Sequence, residues 1–266
     1  MKHLFLGMEN PIGIFDSGVG GTSIWKEVTK MLPHESTIYL ADSANAPYGE
    51  KSKEEIVRLS IKNTEYLLKR NCKIIVVACN TATTNAIDYL RSHYNVPFIG
   101  IEPAIKPAAL QTKTKKVGVL ATKGTLSSSL FHNTSKLFAD GITVLEQEGK
   151  GLVELIEAGK IESQEMRTLL HKFLRPMLDQ DIDCLVLGCT HYPYLIPVLK
   201  DILPEHINII DSGEAVARQT NAVLEQNQLL SHAKQDPGHI FYSNADTDVL
   251  KTLVNTPSAK VSYLDF

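Results

Sequence analysis

Short runs of uninterrupted apolar residues, each closed by small or polar ones, recur along this chain and alternate with stretches of helical periodicity. Two of the runs end alike. Ile74-Ile75-Val76-Val77-Ala78 leads into Cys79-Asn80-Thr81, and Cys184-Leu185-Val186-Leu187-Gly188 leads into Cys189-Thr190-His191. A run that is apolar on both faces reads as a buried parallel strand, so each delivers a thiol to its strand's C-terminal end, just before a helix begins. In open α/β sheets that edge is where ligands bind. Two such thiols, from two matching units, can flank one small molecule from opposite sides. The arrangement suits moving a proton from one face of a carbon to the other.

The other strands repeat in the same order. Ile12-Gly13-Ile14-Phe15-Asp16-Ser17-Gly18 matches Val117-Gly118-Val119-Leu120-Ala121-Thr122-Lys123, and Ile38-Tyr39-Leu40-Ala41-Asp42-Ser43 matches Ile142-Thr143-Val144-Leu145-Glu146-Gln147. After the cysteine strands, Pro97–Glu102 pairs with Ile207–Ser212. Helical patterns lie between them, as a βαβ alternation requires. Ser52 opens one, with Glu54 and Glu55 in its first turn and an apolar stripe through Ile56, Leu59, Tyr66 and Leu67. Ser163 opens another, whose stripe of Leu169, Leu170, Phe173 and Leu174 runs up to Pro176. A third spans Glu214 to Gln226, and the segment from His239 reads as one more strand and helix. Pro103 to Lys116 reads as the crossover between units, with Ser212-Gly213 as the return. The fold class is α/β: two similar units with mostly parallel sheets, related by internal duplication.

Composition narrows the function. At 266 residues and 43% hydrophobic content the chain can fill one large core or two modest ones. A formal charge of −3 gives no basic footprint, which argues against nucleic acid as a partner. No run approaches the roughly 18 apolar residues of a membrane span. The opening Met1–Glu9 is too short in apolar length for a signal peptide, and four cysteines without framework spacing read as reduced thiols, so the expectation is cytoplasmic.

Several residues can carry chemistry. Either cysteine alone reads equally well as a small buried residue; their matched positions favour function. A thiol at a helix N-terminus sits in positive backbone potential that favours thiolate. Asn80-Thr81 and Thr190-His191 can cap those helices or hold a carboxylate. Cys72 and Cys184, at the other ends of their strands, read as bystanders, and the period-two spacing of the cysteines does not converge on a metal. Asp16-Ser17-Gly18-Val19-Gly20-Gly21 follows the first strand but lacks G-x-G-x-x-G spacing, and its aspartate would repel a pyrophosphate. Asp16 suits instead a substrate ammonium or a neighbouring thiol's proton. Pro47-Tyr48-Gly49 can aim backbone N–H groups at an anion. His191 can tune Cys189. For Glu157, a solvent-facing helix position is as good a reading as a functional one.

Together these motifs resemble the glutamate racemase family over essentially the whole chain. The carriers are Gly13–Gly21, Pro47-Tyr48-Gly49, Ala78-Cys79-Asn80-Thr81-Ala82 and Gly188-Cys189-Thr190-His191-Tyr192-Pro193. The resemblance implies two facing α/β domains, 1–103 plus 213–266 and 104–212, with the active site in the cleft between them. It implies Cys79 and Cys189 as the acid–base pair, assisted by Asp16 and His191 respectively. It further implies Ser17, Asn80, Thr81 and Thr190 as contacts to the amino and α-carboxylate groups, Tyr48 and Gly49 in a substrate loop, Thr125 as a carboxylate contact and Glu157 near the second cysteine. The implied activity is cofactor-independent interconversion of L- and D-glutamate for peptidoglycan, with no metal. The expected partner is a small-molecule substrate; a homodimer is one option, and the sequence leaves the oligomeric state open. An arginine usual before the Pro-Tyr-Gly motif is Asn45-Ala46 here, Trp25 stands where a small aliphatic residue is usual, and the tyrosine usual at the end of Thr125–Phe131 is missing. The rivals are an aspartate racemase, a non-catalytic amino-acid-binding protein, and a regulator acting through a protein partner such as DNA gyrase.

Overall fold

A computed structural model describes residues 7–138, 141–232 and 236–266. Most of the opening segment, residues 1–6, lies outside the described residues. The first unit runs β1 (Ile12–Asp16), α1 (Thr22–Met31), β2 (Thr37–Ala41), α2 (Lys53–Lys69), β3 (Ile74–Val77), α3 (Asn80–His93) and β4 (Phe98–Gly100). The second runs α4 (Ile105–Gln111), β5 (Lys116–Ala121), α5 (Lys123–Leu126), α6 (Ser129–Phe138), β6 (Thr143–Glu148), α7 (Leu152–Glu157), α8 (Gln164–Leu178), β7 (Cys184–Gly188), α9 (Ile196–Ile202) and β8 (Asn208–Ile210). The chain then adds α10 (Gly213–Gln226), β9 (His239–Ser243), α11 (Asp248–Val254) and β10 (Ala259–Tyr263).

The strands form two sheets, β10-β9-β2-β1-β3-β4 and β6-β5-β7-β8, and every pairing among the described residues is parallel. The order β2-β1-β3-β4 is reproduced as β6-β5-β7-β8, so the repeat read along the sequence is also a repeat in space. The cysteine strands sit inside their sheets: all of β3 and β7 is buried, as runs covered on both faces must be. Helix ends follow their capping residues. The Ser52 hydroxyl accepts from Glu55 N at 3.2 Å and that of Ser163 from Met166 N at 3.2 Å.

Three local expectations are revised. The helix expected up to Pro176 continues through it to Leu178, because the next residue, Met177, is buried against the sheet and its packing offsets one lost hydrogen bond. The crossover contains a helix, α4. The tail carries a second strand, β10, whose alternating Ala-Lys-Val-Ser-Tyr edge is mostly exposed and gives a weak apolar signal.

Strand β9 pairs with β2 in register Thr37↔His239 to Ala41↔Ser243, so the appended segment extends the first sheet. The unusual Trp25 is absorbed there: its ring meets Phe241 edge-on at 4.8 Å and its Nε1–H donates to Thr37 Oγ1 at 2.9 Å. The main buried cluster is continuous between the units, joining Val19, Ile24 and Ile101 to Leu152, Val153, Leu187 and Cys189. Among the described residues no helix is long and apolar enough to cross a membrane.

Candidate active site

The candidate residues leave the C-terminal ends of the inner strands. Asp16 ends β1 and Ser17 follows; Cys79, Asn80 and Thr81 follow β3; Thr122 and Thr125 follow β5; Cys189, Thr190 and His191 follow β7. Residues of both sets line one cleft: Ser17, Pro47, Tyr48, Gly49, Cys79, Asn80, Thr81, Thr122, Val153, Cys189, Thr190 and His191. Asp16, Thr125 and Glu157 lie behind this lining.

The two thiols have different surroundings. Cys79 is the N-cap of α3, its Sγ accepting from Ala82 N at 3.4 Å and facing Ser17 Oγ at 3.6 Å. Burial and then the Asp16 charge push the Cys79 thiol well above its usual range, against the pull of those hydrogen bonds. Burial also raises the Asp16 carboxyl, although His191 and the Gly21 N–H, 2.7 Å from Oδ2, act in the opposite sense. Cys189 has no such helix. After it come Thr190, His191 and a single 3₁₀ turn at Tyr192–Leu195, so the expectation of a helix directly after this cysteine is revised. Prolines at 193 and 197 supply no N–H there. Its partner is His191, whose Nδ1 lies 3.7 Å from the sulfur.

His191 is held from behind. Its Nε2 lies 2.5 Å from Glu157 Oε1. Burial alone would lower the imidazole's pKa, but the contacts to Cys189 and Glu157 outweigh it, and the ring sits well above its ordinary value of about 6.5. The Gly20 N–H approaches the same Nε2 at 3.2 Å, so the ring is fixed from behind with Nδ1 turned toward the Cys189 sulfur. Glu157 is therefore not on a solvent-facing helix surface. It projects from α7 onto the other unit's loops, accepting from Val19 N at 2.6 Å and from Ser43 Oγ at 2.9 Å.

Further polar groups sit on or against the cleft wall. Thr81, Thr122 and Thr125 gather their hydroxyls across the two units, with Thr81–Thr122 at 2.8 Å, Thr122–Thr125 at 3.1 Å and Thr81–Thr125 at 3.4 Å. Asn80 is buried with neither amide atom bonded. A buried unpaired amide is costly, and its place on the cleft wall suits a ligand that pairs it. Thr190 faces Asp16 at 3.5 Å. Tyr48 lines the cleft, and its hydroxyl donates to Asp42 and accepts from Asn63 Nδ2 at 3.1 Å. Cys72 and Cys184 are buried away from the cleft, and burial pushes their thiols up to about 12 and about 11.

Thr122, Ser43, Val153 and Asp42 do not stand out as site residues in the sequence. The signal for Thr122 was present, since the repeat aligns it with Ser17. Ser43 and Val153 are recognised only by where they sit across the cleft, and Asp42 only by its bond to Tyr48.

Comparison with known proteins places the chain in a family. Residues 20–220 match the family model for Asp/Glu/Hydantoin racemases. A glutamate racemase of Herpetosiphon aurantiacus is 48% identical over 223 residues, covering 84% of this chain and 88% of its own length. Among solved structures, Escherichia coli glutamate racemase in complex with L-glutamate and the activator UDP-MurNAc-Ala superposes with a TM-score of 0.85 at 36% identity, over 96% of this chain and 97% of that one. Francisella tularensis glutamate racemase in complex with D-glutamate gives 0.84 at 28% identity, over 97% and 98%.

Proposed function

The chain belongs to the Asp/Glu/Hydantoin racemase family, and from that premise we propose that it interconverts L- and D-glutamate by proton transfer between Cys79 and Cys189, without a cofactor, supplying D-glutamate for peptidoglycan. One observation carries the reading. The two thiols come from the matching strands of two units, line the same cleft, and each keeps a separate acid–base partner.

In one direction a cysteine thiolate removes the α-proton, and the C–H electron pair stays on the α-carbon as a planar carbanion delocalised into the carboxylate. The opposite thiol gives its proton to the other face and becomes the thiolate. The reverse direction starts from the mirrored protonation state. Asp16 takes up or returns the Cys79 proton, and His191, oriented by Glu157, does so for Cys189. The threonine hydroxyls and Asn80 hold the substrate's carboxylate as its negative charge grows, in a site where neighbouring dipoles act with little screening. The Pro47–Gly49 turn and Ser17 close the remaining sides.

The test is proton NMR of L-glutamate with purified, reduced protein in deuterium oxide, with no cofactor added. α-Deuterated D-glutamate is the expected product. Exchange of aspartate with glutamate left untouched would move the substrate assignment. No exchange of either would favour a binding protein.

A further inference from the structure

Asp42 follows β2 and is completely buried, yet it does not line the cleft. Its Oδ1 accepts from Asn45 Nδ2 at 2.8 Å, Lys62 Nζ at 3.1 Å and Asn244 Nδ2 at 2.5 Å, and its Oδ2 accepts from the Tyr48 hydroxyl. Through Tyr48, Asp42 sets one wall of the cleft. Two of the groups around it come from the appended segment. Asn244, one residue beyond β9, donates to Asp42 and accepts from Ala44 N at 2.9 Å, so it grips the loop between β2 and Tyr48 at a side chain and at the backbone. The Phe266 ring lies 5.0 Å from the Lys62 ammonium, covering the cation that faces Asp42. Both residues lie outside the stretch that matches the family model.

We infer that Asn244 is a positioning residue of the substrate site: through Asp42 and Tyr48, the appended strand holds the Pro47–Gly49 wall in place. The inference rests on the racemase reading of the cleft. Asparagine suits the position because one amide supplies both a donor to Asp42 and an acceptor to Ala44 N. Aspartate there would set a second carboxylate against Asp42, and alanine would remove both bonds. A slackened wall must be reordered by the substrate at the expense of binding, while the two thiols and their partners stay where they are. Asn244 therefore acts on KM more than on kcat.

The experiment compares Asn244→Ala, Tyr48→Phe and the double variant with wild type, using Lys260→Ala on exposed β10 as the control. Steady-state racemisation and amide hydrogen exchange of the 44–49 segment are both measured. The expected result for Asn244→Ala is a KM raised about tenfold with kcat within about threefold, and faster exchange across 44–49. The double variant should have a KM no higher than Tyr48→Phe alone, because both substitutions break one chain of contacts. Lys260→Ala should match wild type. Unchanged exchange across 44–49, a wild-type KM, or KM increases that multiply in the double variant would each overturn the inference. If Asn244→Ala does not fold, a wild-type KM in Tyr48→Phe overturns it. Faster exchange in Asn244→Ala beside a wild type that does not racemise would overturn the racemase reading and leave Asn244 as the holder of the loop.

Discussion

His191 and Glu157 meet 2.5 Å apart beneath the glycine turn of the opposite unit, so the group that tunes Cys189 is held by the same carboxylate that spans the cleft. Glu157→Gln keeps the size and removes the charge. With Glu157 neutral, burial pulls the His191 pKa down, and the alkaline limb of kcat/KM should move to lower pH. A pH–rate profile checks this; an unmoved limb would mean that Glu157 only packs. The linkage has a definite sign. The folded value of His191 is raised, so its contribution to stability is complete below about pH 6.5 and is lost as pH rises through the folded value. Glu157→Gln should therefore cost more stability at pH 6 than at pH 9.

In the proposed mechanism Asp16 and His191 serve different thiols, so their variants should be asymmetric in opposite senses. Asp16→Asn and His191→Asn should each lower kcat by about 10²–10⁴-fold. The α-deuterium isotope effect should grow for the enantiomer deprotonated by the affected thiol, and the two variants should pick opposite enantiomers. Growth on the same enantiomer in both would show that the assistants are not divided between the cysteines.

The turn after β1 needs glycine because the other unit closes onto it. A Cβ on Gly20 would enter the His191 imidazole, and one on Gly18 would enter the Glu157 carboxylate. Gly20→Ala should reduce activity at least about 100-fold, the order seen when reacting groups shift by about an ångström. Each unit's own sheet should remain, so circular dichroism should match wild type. Near-normal turnover would show that this contact is dispensable.

Asp183, just ahead of β7, accepts from Thr112 Oγ1 at 2.5 Å, Lys113 N at 2.5 Å and Thr114 N at 3.0 Å. Desolvation opposes them, but the hydrogen bonds prevail and hold its carboxyl at about 2. The folded value is depressed, so the stabilisation is present above about pH 4 and is lost as pH falls through about 2. Asp183→Asn should melt lower than wild type at pH 7, and the two curves should converge near pH 2. A constant gap between them would rule out this carboxylate as the source.

Much of this architecture is legible along the chain because strand burial and strand order are local signals. The wholly apolar runs of β3 and β7 mark the sheet centres, and the residues after them deliver the thiols. Ser52 and Ser163 announce their helices through hydroxyls that reach only three residues ahead. Glu157 is not legible as a site residue because Val19 and Ser43, which it accepts from, belong to the other unit and nothing in the helix pattern points across a cleft. Asp42 and Asn244 are separated by most of the chain and meet only because β9 joins β2. Pro176 read as a stop, since the buried contact of Met177 that carries the helix past it is tertiary. The Cys79 and Cys189 motifs look alike in sequence; one thiol caps a helix and the other leans on an imidazole, and prolines 193 and 197 are the only local hint of that difference.

If both thiols act on one carbon, removing either must stop racemisation. Cys79→Ala and Cys189→Ala, confirmed as folded by their melting curves, would be incubated with each glutamate enantiomer in deuterium oxide. Neither variant should turn over either enantiomer to its mirror image above about one part in 10³ of the wild-type rate, because without the second thiol no proton reaches the far face. Sustained racemisation by either variant would contradict a two-thiol mechanism and place the second proton elsewhere in the cleft.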